Sequence, residues 1–85
     1  MQNYASFSCF VNGTGYSTFT FTVTNGNYPA LYEYNTTSNN INTILTGNTS
    51  KNGTFSYDFT GYNFLYFSTT KGTAGSTGVV TMSLS

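Results

Sequence analysis

Two carboxylates, Glu33 and Asp58, are the only side chains of this chain that could form an acid-base pair. Brought within a few ångströms, they would make a glycosidase-like pair or part of a calcium site. Each falls on the polar parity of its expected strand, so both are read as separate solvated charges that discourage edge aggregation. The chain has no histidine, and its Ser and Thr hydroxyls therefore lack the base that usually activates a nucleophile. Its single cysteine, Cys9, excludes an intramolecular disulfide and shares the inward parity of Phe7 and Val11, which marks a buried structural thiol. Asn12, Asn35, Asn48 and Asn52 each begin an Asn-X-Ser/Thr triplet in an expected loop, but a chain so rich in Asn and Thr produces such triplets by chance. No catalytic, metal-ligating or cofactor-binding set emerges, and the expectation is a non-enzymatic protein without a cofactor.

Charged residues make up 5% of the 85-residue chain, against about 25% in ordinary soluble domains. Its surface must be built from hydroxyls, amides and aromatic rings, with almost no electrostatic repulsion between copies. The formal net charge of zero speaks against nucleic acid, whose phosphates need clustered Lys and Arg. No run approaches the roughly 20 apolar residues that span a bilayer, so membrane insertion is not expected. The opening MQNYASFSCF has neither a basic n-region nor a continuous apolar h-region. The expectation is a chain that reaches a site outside the cell, or on a virion or filament surface, without a recognisable signal peptide.

The elements that must carry these residues follow a period of two. In SFTFTVT, Phe19, Phe21 and Val23 point one way and the threonines the other, as in a half-buried strand. The same alternation predicts strands in ASFSCFV (Phe7, Cys9, Val11 inward), ALYEY (Ala30, Tyr32, Tyr34), NINTIL (Ile41, Leu45), TFSYDF (Phe55, Tyr57, Phe59), NFLYFS (Leu65, Phe67) and VVTMSLS (Val80, Met82, Leu84). Asn-Gly steps at Asn12, Asn25 and Asn52 are read as tight turns. No window has helical periodicity. About seven short strands in one domain over residues 1–85 predict an all-β fold, an antiparallel two-sheet sandwich of Ig-like or jelly-roll-like type.

Eight Tyr and eight Phe exceed what one small core needs. The surplus includes Phe10, Tyr16, Tyr28, Tyr62, Phe64 and Tyr66, at outward or loop-flanking positions, and concentrated exposed apolar residues mark interaction surfaces. These six are the candidate assembly interface, with Phe10, Tyr62, Phe64 and Tyr66 at its centre and Tyr16 and Tyr28 on its rim. The partners expected are copies of the chain itself or a larger protein assembly. A carbohydrate-binding module, with Tyr rings stacking on sugars and Asn and Thr side chains bonding their hydroxyls, is the competing expectation. Sugar platforms commonly use Trp, which is absent here, and Phe10 and Phe64 offer no hydrogen bond.

The segment TFSYDFTGYNFLYFS, Thr54 to Ser68, resembles a segment of small β-sandwich modules in bacteriophage virion proteins. The shared pattern is a strand ending in Asp, an aromatic-Thr-Gly-Tyr turn and an aromatic strand. The resemblance covers about a sixth of the chain, carries no catalytic residue across, and implies a capsid-decorating, tail or fibre role.

Overall fold

Alternating apolar and hydroxyl side chains leave one face of each segment to bury, and the segments satisfy this by pairing into a single sheet. In the computed structural model, which describes residues 6–35, 37–59, 64–71 and 79–85, the strands are β1 (Ser6–Asn12), β2 (Thr18–Asn35), β3 (Asn40–Thr46), β4 (Lys51–Asp58), β5 (Phe64–Lys71) and β6 (Val79–Leu84). All pairings are antiparallel: β1 with β5, and β2 with each of β3, β4, β5 and β6. Among the described residues there is no helix long and apolar enough to cross a membrane.

The 18-residue β2 is the spine. Asn27 pairs with Lys51 of β4 and with Lys71 of β5, so these two strands flank β2 on opposite sides. Tyr32 likewise lies between Thr43 of β3 and Tyr66 of β5, and Phe19 between Tyr57 of β4 and Leu84 of β6. The first half of β2 therefore sits in the order β4-β2-β6, and the second in the order β3-β2-β5-β1. Straight, 18 residues would run roughly 60 Å, but the long axis of the molecule is 44 Å. The strand bends where its register with β4 slips between Val23 and Asn27. There the Asn27 amide donates to the Thr24 carbonyl and hydroxyl, at 3.0 and 3.2 Å, so the irregular backbone is satisfied from within. Pro29 pairs with Thr69 on one side only, at the level where β4 has ended and β3 has not begun. A residue without an N–H is tolerated in a central strand at such a gap.

This bend folds the two halves of the sheet toward each other as a half-barrel. Phe19, Phe21, Val23, Leu31, Phe59, Leu65 and Phe67 are buried between them. The Phe67 ring of one half lies 5.2 Å from Phe19 and 4.9 Å from Phe21 of the other, spacings at which aromatic pairs attract. On the outer side of the first half, hydroxyls pair across strands: Thr20 with Ser56 and Thr22 with Thr54, both at 2.8 Å.

The antiparallel all-β class agrees with the sequence, and among the described residues each of the seven expected segments overlaps a strand. Two of them, SFTFTVT and ALYEY, are one strand, so a single curled sheet stands where two separate sheets were expected. The Asn25-Gly26 step lies inside β2 and Asn52-Gly53 inside β4, so neither makes a hairpin turn. With Asn25-Gly26 absorbed, Phe19, Phe21, Val23, Asn27, Leu31 and Glu33 of β2 are all buried. Leu31 and Glu33 are buried while Tyr32 and Tyr34 are only half-buried, which reverses the expected parity at these four positions of ALYEY, whereas Ala30, expected inward, is buried. Ile41, expected inward, is on the outer face, because it pairs with Tyr34 beyond the register slip between Leu31 and Tyr32. Phe7, also expected inward, is exposed on the edge strand β1.

Candidate functional site

Register places the outward residues of the second half in rows. One row runs Phe10, Tyr66, Tyr32, Thr43 across β1, β5, β2 and β3, and the next runs Asn12, Phe64, Tyr34, Ile41. Rings of the first row touch: Phe10 and Tyr66 have centroids 4.9 Å apart at 49°, and Tyr32 and Tyr66 6.2 Å apart at 31°. Phe10 is 79% exposed and Ile41 66%, whereas Tyr32, Tyr34, Phe64 and Tyr66 are half-buried by neighbours on the same face. The Tyr34 hydroxyl donates to Asn39 Oδ1, and Asn39 itself takes φ 60° in the turn before β3. No charged side chain stands in either row. The result is a contiguous aromatic and aliphatic surface lying on a continuous sheet, which fixes the positions of its rings.

Of the six candidate interface residues, Phe10, Phe64 and Tyr66 come together on this face. Tyr28 shares it but lies further along β2, opposite Thr70. Tyr16 is exposed in the turn after β1, where its N–H bonds the Gly13 carbonyl at 2.9 Å, off the strand rows. Tyr62 lies outside the described residues. Tyr32, Tyr34 and Ile41 belong to the face and were assigned to the core from the sequence. The signal that would have found them is the odd parity of Phe19, Phe21 and Val23, which Asn27, Leu31 and Glu33 share.

The chemistry-bearing residues lie elsewhere. Glu33 is 5% exposed on the inner face, contrary to its expected solvated position. Asn42 Nδ2 donates to its Oε1 at 2.7 Å, and its Oε2 is buried without a partner. Asp58 is exposed at the other end of β2, accepting a bond from the Thr18 hydroxyl at 2.9 Å. The two carboxylates therefore cannot act on one substrate atom. No group of three potential metal ligands occurs among the described residues. Cys9 packs against the core with its Sγ 3.9 Å from Met82 Sδ. Burial pushes the Cys9 thiol up from its ordinary pKa, which lowers its thiolate fraction at neutral pH. The amide oxygens of Asn12, Asn35 and Asn48 accept bonds from neighbouring residues: Thr14, then Thr37 and Ser38, then Thr46 and Thr49. Asn52 is inside β4 instead of a loop, and Asn12 and Asn35 are the last residues of β1 and β2. Three of the four Asn-X-Ser/Thr triplets thus have a local structural use as turn-forming side chains.

Beneath the edge of β1, Val11 and Phe19 face Met82, Ser83 and Leu84 of β6 across a cavity of about 280 Å³. Set against protein families, curated proteins and solved structures, the chain matches none.

Proposed function

We propose that the chain is a non-enzymatic structural subunit that assembles with its own copies, or decorates a larger particle, through the outward aromatic face. The observation that carries this reading is the pair of uncharged rows containing Phe10, Tyr66, Tyr32, Phe64, Tyr34 and Ile41, left open to solvent by the single chain. An exposed apolar face on a sheet with few charges is a hazard unless something covers it. Phe10, Phe64 and Ile41 suit a protein contact, since they offer no hydrogen bond. The low charge lets subunits approach closely. A virion or an extracellular filament is the setting that fits this role, with the subunit on the particle's surface. Separation of the carboxylates and the lack of histidine support a role without catalysis.

One observation favours a second reading. Three rings lie in line across strands, with Thr43 at the end of their row and Asn12 beside Phe10's strand neighbour Val11, an arrangement on which a sugar chain could stack. Tilts of 49° and 31° between successive rings keep them from forming one flat platform, and assembly is the stronger reading. Light scattering of purified protein together with a glycan array separates the two. Species heavier than the 9.2 kDa chain, with no sugar bound, are expected. A monodisperse monomer that binds one sugar class would overturn the assembly reading.

A further inference from the structure

We propose that copies of this chain join edge to edge, with β3 of one copy hydrogen-bonded to β1 of the next, so that one sheet runs through successive subunits. This rests on the reading of the chain as an assembling subunit and adds an edge contact between copies to that made by the face. Among the described residues, β1 pairs only with β5 and β3 only with β2, so each presents one free edge at opposite sides of the same four-stranded half. Natural sheets guard such edges with Lys, Pro or other charge. Here β1 (SFSCFVN) and β3 (NINTILT) contain neither charge nor proline. By contrast, β4, which is also an edge, begins with Lys51 and ends with Asp58. Among the described residues β6 (VVTMSL) is a further edge without charge or proline, but it belongs to the other half of the sheet; β1 and β3 border the same half and have the same length, 7 residues.

Polarity decides whether the two edges can meet. Along β3, β2, β5 and β1 each strand is antiparallel to its neighbour, so β3 and β1 at the two ends run in opposite directions. A copy displaced sideways in the plane of the sheet, without being turned over, therefore sets its β3 antiparallel to β1 of the first, with the aromatic faces on the same side. Pairing of this kind is heterologous, since each copy uses two different edges, and it leaves an edge open at both ends of the row. Ile41 and Phe10, the most exposed large apolar side chains on this face, stand one on each edge. A two-residue shift in register preserves the faces and sets Ile41 beside Phe10, covering both. The bulge at Ile44 confines the regular edge of β3 to residues 40–43, the part that carries Ile41.

The test uses Phe10→Lys, which guards the β1 edge, and Ile41→Lys, which guards the β3 edge. Both positions are exposed, and circular dichroism checks that each variant keeps its β fold; Ser8→Lys and Thr43→Lys, also exposed on the same two strands, replace any variant that does not. The mass of each is measured by light scattering alone and in an equimolar mixture. Each variant alone is expected to lose the growth shown by the wild type. The mixture is expected to double the mass of either, because each variant supplies the edge that the other lacks. A wild type that assembles beside a mixture no heavier than its components overturns edge pairing and leaves assembly through the face standing; variants that each assemble as the wild type does overturn edge pairing and also remove Phe10 and Ile41 from the interface. A wild type that stays at one 9.2 kDa chain overturns both.

Discussion

Replacing Phe64 and Tyr66 together by serine should remove face-mediated assembly and leave a soluble, folded chain. Fully burying a Phe or Tyr side chain is worth roughly 1.5–3 kcal/mol. Each ring is already half-buried in the single chain, so covering the remainder contributes about half of that range. For both rings this is about 1.5–3 kcal/mol, or roughly 10- to 150-fold in the association constant for each copy. The cost to folding comes from other contacts. Tyr66 loses its ring neighbours Phe10 and Tyr32, at about 0.5–1.5 kcal/mol each. A chain of 85 residues is stable by roughly 4–13 kcal/mol, and both rings point away from the core formed by Leu65 and Phe67. Sedimentation over a concentration series, with circular dichroism beside it, reads both effects. Assembly undiminished in the double variant would refute the assignment of the interface, and loss of the β spectrum would return these rings to the folding core.

Two further outcomes test the fold beneath the face. Asn42→Ala removes the 2.7 Å bond to Glu33 Oε1 and leaves both oxygens of this buried side chain without a partner; stability to urea should fall by about 1–3 kcal/mol, and an unchanged midpoint would contradict that bond. Gly47→Ala should destabilise by about 1–3 kcal/mol, since Gly47 has φ 83° and an added Cβ would meet the Ala30 Cβ at 2.9 Å; an unchanged urea midpoint would contradict that close approach.

Period-two alternation was enough to identify the strands, because a half-buried strand must alternate. It also places Phe64 and Tyr66 opposite Leu65 and Phe67, as found in β5. Asn25-Gly26 defeated the same logic. An Asn-Gly step suits a hairpin turn and equally suits an irregular bend within a strand, and only the pairing partners on both sides of β2 distinguish the two. A turn there resets the parity of ALYEY, which sends Glu33 to solvent and Tyr32 and Tyr34 to the core. Ile41 was misplaced for a related reason. The register slip opposite Leu31 and Tyr32 depends on a partner strand that local alternation does not include. The face was therefore legible on β1 and β5, where strand ends are clear, and illegible on β2 and β3, where long-range pairing sets the parity.

Hydroxyl-radical footprinting of the wild type, dilute and concentrated, tests most directly whether another protein surface covers the outward face. Oxidation of Phe10, Phe64 and Tyr66 should fall as the protein assembles, while that of Tyr16, exposed in the turn off the strand rows, stays constant. Assemblies that grow while Phe10, Phe64 and Tyr66 remain as reactive as in the dilute chain would contradict the account.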